Sequence, residues 1–141
     1  MEKYCVCLGG SNIVVDAEFQ AITEKAILQC FEDGFKTFLC TGYGNWALFA
    51  ASILRRYQKE GRDICILCYI PDFFQANKYR LELLNTSNYD EVHILRGRTM
   101  LETDLFLLKK GTRLLVPKES MPKNALLLHA IEQYGLEVVL V

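Results

Sequence analysis

Two glycine-rich segments of the chain have the composition of loops that bind phosphate. One follows the apolar run at residues 4–8, and the other follows the run at residues 37–40. Glycine lets backbone N–H groups approach an anion closely, and a helix that starts after such a loop adds unpaired donors and the positive end of its dipole. A tight strand-to-helix turn needs glycine for its own geometry, so a plain turn is the alternative interpretation. The residues that would line a ligand site here are Gly9, Gly10, Ser11, Asn12, Thr41, Gly42, Gly44 and Asn45.

Two more polar side chains follow other apolar runs. Gln75 comes after Ile70-Pro71, close to Phe73 and Phe74, which could stack on a base. Arg98 stands at the start of a predicted helix, where the helix dipole alone would favour acidic residues, so its guanidinium suits a phosphate or carboxylate. The alternatives are a surface glutamine beside core aromatics and a solvated charge.

The sequence contains no recognisable catalytic set, so the catalytic residues are left unknown. His93 lies in a predicted strand and His129 within a predicted helix, and neither forms a triad with a Ser or Cys. Cys65-x-x-Cys68 lies inside a strand, whereas redox motifs of this spacing start a helix. No cluster has the convergent ligands that a metal needs, and no cofactor is predicted.

Length and composition indicate a single globular domain, residues 1–141. The chain is 51% hydrophobic and 23% charged, with a net charge of -1. This balance excludes disorder and gives no strong nucleic-acid signal. No apolar run approaches the roughly 20 residues of a membrane span, and the start lacks a signal-peptide pattern. We therefore expect a cytoplasmic protein whose six cysteines are reduced.

Apolar runs and helical spacings alternate along the whole chain. The predicted strands are Tyr4–Leu8, Thr37–Cys40, Asp63–Ile70, Glu91–Leu95, Arg113–Val116 and Glu137–Val141. The predicted helices are Asp16–Asp33, Asn45–Gly61, Phe74–Leu84, Gly97–Lys110 and Asn124–Tyr134, with Asp16 and Asn45 as caps. A strand at Leu105–Leu108 is an alternative to the fourth helix.

Near-continuous apolar strands predict an α/β fold, a three-layer Rossmann-like sandwich with a mostly parallel sheet of about six strands and helices on both faces. Ligands of such sheets bind beyond the carboxyl ends of the strands.

The order of these parts resembles the SLOG superfamily of Rossmann-like proteins, especially its YpsA-type branch. That branch pairs a first-strand loop with a Gly-rich second loop that opens an Ala-rich helix, as at residues 8–12 and 41–51. Its Pro-x-x-x-Gln element matches Pro71 and Gln75, and its Arg-Asn-x-x-Met helix is similar to Arg96–Met100. The resemblance implies a protein that binds or hydrolyses nucleotides or nucleotide-derived signals.

The chain departs from the family pattern where hydrolysis would need it most. Residues 117–124 replace the Gly-rich loop after strand five, and Gly97 replaces the Asn of Arg-Asn. Ala47 and Ser52 occupy positions that are usually acidic in the family. The resemblance therefore favours a binder of a nucleotide-like small molecule over an enzyme.

Two other functions stay open. One is a nucleotide N-glycosidase of the phosphoribohydrolase type, with Glu102 as its acid. The other is a protein-interaction module that has lost its pocket, with Tyr43, Trp46 and Phe73 filling the crevice. The apolar helices around Met100 and Leu127 would suit a homodimer in any of the three cases.

Overall fold

The computed structural model describes residues 2–10, 12–71 and 88–141. Its strands are β1 (Tyr4–Cys7), β2 (Thr37–Thr41), β3 (Cys65–Pro71), β4 (Glu91–Leu95), β5 (Arg113–Val116) and β6 (Glu137–Leu140). Its α-helices are α1 (Ala17–Glu32), α2 (Asn45–Lys59), α3 (Met100–Lys110) and α4 (Ala125–Gln133). A single turn of 3-10 helix, Lys118–Ser120, follows β5.

The six strands form one sheet in the order β4-β3-β2-β1-β5-β6, and every pair is parallel. The predicted α/β sandwich is confirmed. The chain builds outward from β1 to β4 and then returns to place β5 on the other side of β1. The strand order therefore reverses between β1 and β5, and crevices that hold ligands in open parallel sheets form at such a reversal.

Alternate residues of each strand enter two separate cores. On one face, Cys5, Phe38 and Ile66 pack with Ile27 of α1 and Trp46 of α2. On the other face, strand residues that include Val6, Leu39 and Leu114 pack with Leu107 of α3 and Leu127 of α4. The sheet is thus the middle of three layers, which explains why its strands are apolar on both sides.

Side-chain caps fix where three of the helices begin. Asp16 accepts from the N–H of Phe19 at the start of α1, and Asn124 accepts from Leu126 at the start of α4. Thr99 and Glu102 form a reciprocal capping box, so α3 starts at Met100 and not at the predicted Gly97. The alternative strand at Leu105–Leu108 is wrong, because these residues lie within α3.

The predicted helix at residues 74–84 lies outside the described residues. Within the ranges that the structure describes, no helix has the length and apolar character needed to cross a membrane.

Candidate ligand-binding site

The loop after β1 lies directly on the start of α2. The N–H of Trp46 donates to the carbonyl of Gly10 at 3.2 Å, and the N–H of Ala47 donates to the carbonyl of Gly9 at 2.9 Å. These donors belong to the first turn of α2, where a bound anion would otherwise be held. Backbone carbonyls of the protein thus occupy part of the anion-binding end of this helix.

Two glycines make this close approach possible. Gly44 has φ +86°, and a Cβ added to it would stand 2.4 Å from the carbonyl carbon of Gly9. Gly10 has φ +81°, and its Cβ would stand 2.6 Å from Cβ of Trp46 and 3.2 Å from Cγ of Pro117. Gly10 therefore lies between α2 and the end of β5, at the reversal of the strand order.

The polar side chains of the two loops bind other parts of the loops. The buried hydroxyl of Thr41 accepts from the N–H of Gly9 at 2.9 Å and donates to the carbonyl of Tyr43 at 3.1 Å. Asn45 is the first residue of α2, and Gly44 takes the cap position predicted for it. The side-chain oxygen of Asn45 accepts from the N–H of Ile13, and its side-chain nitrogen donates to the carbonyl of Ile13. The N–H of Gly42 donates to Tyr69 of β3. These contacts hold the loop of β1 to the loop of β2.

Most of the predicted ligand residues therefore lie close together. Their polar groups mainly join the β1 loop to the β2 loop. Arg98 lies apart from this junction, in the groove described below. Ser11 and Gln75 lie outside the described residues. Ligand binding by the two loops stays a prediction.

Tyr43 connects the β2 loop to α3 across the rim of the sheet. It is 6% exposed, and its hydroxyl contacts the carbonyl of Met100 at 3.3 Å and a carboxylate oxygen of Asp104. Burial raises the pKa of Asp104 to about 6, although the hydrogen bond from Tyr43 lowers it.

Of the three residues proposed to fill the crevice, Tyr43 does lie at this rim. Trp46 points into the core instead, where its ring N–H donates to Thr23, and Phe73 lies outside the described residues.

The cavity beside the β1 loop is acidic. It has a volume of about 320 Å³, and its lining includes Asn12, Asp16, Glu18 and Glu119. Three carboxylates repel a phosphate, so this cavity does not suit the negatively charged end of a nucleotide.

A basic groove with a volume of about 570 Å³ lies beside α3, where β4 ends. The residues that line this "α3 groove" are Arg96, Gly97, Arg98, Glu102, Leu105, Phe106 and Lys109. Its volume is in the range of small-molecule sites, about 300–1,000 Å³. Three cations face one carboxylate, so the groove attracts anions.

Phe106 forms the aromatic centre of the α3 groove. The guanidinium carbon of Arg98 lies 5.4 Å from the ring centre, and the ammonium nitrogen of Lys110 lies 5.0 Å from it. Within the described ranges, Arg96, Arg98 and Lys109 have no ion-pair partner, whereas the Glu102 carboxylate accepts from the N–H and hydroxyl of Thr99. The cations are therefore available to a ligand, and the carboxylate is largely engaged.

Sequence reasoning singled out Arg98 but missed Phe106 and Lys109. The signal was present, because Glu102, Phe106 and Lys109 recur at spacings of four and three residues, which places them on one side of a helix. The contact of Asp104 with Tyr43 was also missed, because no sequence spacing shows that a tyrosine of another element reaches this carboxyl.

Among the described residues, no group of three or more His, Cys, Asp or Glu side chains is placed to hold a metal ion. No family model matches the chain, and no curated protein matches it significantly.

Proposed function

We propose that the protein binds a nucleotide or nucleotide-derived anion without hydrolysing it, and that the α3 groove holds the charged end of this ligand. The observation that carries the proposal is the group of Arg96, Arg98 and Lys109 around Phe106. Guanidinium groups bind phosphate through paired, charge-assisted hydrogen bonds. The contact with the Phe106 ring holds the Arg98 guanidinium in the groove.

The resemblance to SLOG proteins supports the same class of ligand. The location differs from the site expected on the glycine loops, because their polar groups bind each other and the adjoining cavity is acidic. The α3 groove begins at the carboxyl end of β4, with Arg96 and Arg98, and continues along α3 to Lys109. Its first part therefore lies where ligands of this fold class bind.

A thermal-shift screen with ATP, ADP-ribose, NAD and cyclic nucleotides tests this function, with the matching nucleosides as uncharged controls. A ligand present at about 100 times its Kd adds about 2.7 kcal/mol of stability. We expect saturable shifts with phosphate-bearing compounds and none with the nucleosides. A flat screen, on a protein that melts cooperatively, would contradict the proposal and favour the interaction module.

Arg98→Ala locates the site. Loss of a charged hydrogen-bond partner costs about 1.5–3 kcal/mol, so we expect affinity for the best ligand of the screen to fall about 10- to 100-fold. Arg62→Ala is the matched control, because Arg62 is also exposed and lies 4.6 Å from the centre of a phenylalanine ring, that of Phe31, in a different cavity. Equal loss in the two variants would contradict the assignment of the α3 groove.

A second function, nucleotide N-glycosidase activity, is favoured by one observation. Asp104 is a partly buried carboxyl beside a tyrosine hydroxyl at the rim of the sheet, and burial raises its pKa to about 6, which suits a general acid near neutral pH. Asp104 replaces Glu102 as the candidate acid, because the Glu102 carboxylate serves the capping box.

Release of free base from the same nucleotide panel distinguishes an enzyme from a binder. The binding proposal predicts no release above a blank without protein. Base release by the wild type that disappears in Asp104→Asn would instead establish the N-glycosidase.

A further inference from the structure

Two buried thiols and an arginine meet where α1 packs on the sheet. Cys5 of β1 and Arg113 of β5 are paired in register, and Cys30 lies on α1. The sulfur atoms of Cys5 and Cys30 are 3.8 Å apart. A guanidinium nitrogen of Arg113 lies 3.6 Å from the sulfur of Cys30. The three side chains form a compact cluster far from the residues of the α3 groove in the fold.

Arg113 is held in place by two carboxylates. One of its nitrogens lies 2.8 Å from Asp33 and 2.9 Å from Glu137. Its guanidinium also lies 4.6 Å from the ring centre of Phe35. The charge next to Cys30 is therefore fixed in position, as it must be to stabilise a thiolate.

The pKa values of the two thiols are shifted in opposite directions. Hydrogen bonding from Cys5, and then from Arg113, lowers the pKa of Cys30, although burial opposes this. Burial and the hydrogen bond with Cys30 raise the pKa of Cys5. Cys30 is thus the more nucleophilic of the pair at neutral pH, because the thiolate is the reactive form.

We propose that Cys5 and Cys30 form a reversible disulfide when a hydroperoxide oxidises Cys30. The Cys30 thiolate attacks one peroxide oxygen, the O–O bond breaks, and after proton uptake the products are a sulfenic acid and water. The thiol of Cys5 then attacks the sulfur of Cys30 and the S–O bond breaks. The departing hydroxide takes up the Cys5 proton and leaves as a second water. Overall, two thiols and one hydrogen peroxide give one disulfide and two waters.

Little movement is needed within the pair. A disulfide requires the two sulfurs to approach from 3.8 Å to about 2.05 Å. Both thiols are 0% exposed, so hydrogen peroxide reaches them only when the packing between α1 and the sheet opens locally. We therefore expect oxidation of this pair to be slower than that of an exposed thiol.

Peptide mapping of the folded chain tests the proposal. The protein is treated with hydrogen peroxide, its free thiols are blocked with N-ethylmaleimide in urea, and it is cut with trypsin without reduction. Cleavage after Lys3, Lys25 and Lys36 places Cys5 and Cys7 on peptide 4–25 and Cys30 on peptide 26–36. We expect these two peptides to be linked, with four of the six cysteines blocked and the link removed by dithiothreitol.

Variants distinguish the two cysteines on the first peptide. Cys5→Ser should abolish the link, and Cys7→Ser, the matched control in the same strand, should keep it. Persistence of the link in Cys5→Ser would overturn the proposal. So would a failure to link under peroxide that oxidises a free cysteine peptide in the same tube, or a folded sample that gives the same mixture of links as a sample oxidised in urea.

Discussion

The hydrogen bonds of the Tyr43 hydroxyl depend on whether Asp104 is protonated. A tyrosine hydroxyl has a single hydrogen, yet this one lies within bonding distance of both the carbonyl of Met100 and the carboxyl of Asp104. When Asp104 is protonated, it can donate to Tyr43, which then donates to Met100. When Asp104 is ionised, Tyr43 must turn to it and release Met100. The arrangement is therefore satisfied best when Asp104 carries its proton.

This arrangement predicts that Asp104 lowers stability as the pH rises. The folded-state pKa of about 6 lies above the usual aspartate value of 3.8, so the stabilising contribution is complete below about pH 4 and is lost as the pH rises through about 6. Asp104→Asn cannot ionise. Its free energy of unfolding, relative to wild type, should therefore increase by about 2–3 kcal/mol between pH 4 and pH 8. Urea denaturation at both pH values measures this difference.

Tyr43→Phe provides the control for that experiment. It removes the hydrogen bond that lowers the pKa of Asp104, so the loss of stability should move to higher pH. Parallel pH profiles for wild type and Asp104→Asn would contradict this account of the pair.

At the scale of elements, the contact between the β1 and β2 loops requires glycine, because a Cβ would not fit between their backbones. Gly44 touches the backbone of Gly9, and the positive φ of Gly44 permits the turn into α2. Gly61, after the end of α2, also has a positive φ of +106°, but nothing lies within 4 Å of the place a Cβ would occupy. Alanine at Gly61 would therefore introduce backbone strain alone, whereas alanine at Gly44 would introduce the same kind of strain and a steric clash.

We predict that Gly44→Ala destabilises the protein by about 3 kcal/mol or more, because backbone atoms of Gly9 must move. Gly61→Ala should cost only about 1–2 kcal/mol, the usual penalty for a side chain at positive φ. Thermal unfolding of the two variants measures the difference. Similar costs would show that the loops are not packed as described.

The sequence was most informative where a pattern is local. Apolar runs predicted all six strands, and Asp16 and the glycine after α1 marked the limits of that helix. The contacts between loops could not be predicted, because they depend on which strands are neighbours. Gly9 and Ala47 are 38 positions apart, and no spacing rule indicates that a carbonyl of one loop occupies the helix start of the other.

The contacts of Arg98 in the α3 groove were likewise not predictable from the sequence. Arg98 was chosen for its place at the start of a helix, but its partner is a ring two turns further along α3. The expected combination of Arg98 with the glycine loops assumed that all strand ends share one crevice. In the structure β4 lies at the edge of the sheet, three strands from β1, which separates the two places.

At the scale of the whole molecule, the two cores are expected to unfold together, because every strand contributes side chains to one or both. Trp46 is the single tryptophan and is 0% exposed, so its emission reports the core between α1, α2 and the sheet. We predict that its red shift in urea coincides with the loss of far-UV circular dichroism, as in a two-state transition. Two separate midpoints would contradict a single cooperative domain.

Acidic and basic side chains are unevenly distributed over the molecule. The net charge of -1 hides an acidic cavity beside the β1 loop and a basic groove beside α3. The binding proposal therefore predicts that the phosphate end of a ligand enters the groove and not the acidic cavity. Because exposed charges are screened over about 8 Å at physiological ionic strength, added salt should weaken binding.

Amide chemical-shift mapping tests the central claim most directly. The ¹⁵N-labelled protein is titrated with ADP-ribose, and again with adenosine as the uncharged control. The account predicts saturable shifts at residues 96–98 and 105–110 with ADP-ribose, and none there with adenosine. Shifts confined to the two glycine loops would place the ligand at the strand ends first expected from the sequence, and would contradict the α3 groove as its site.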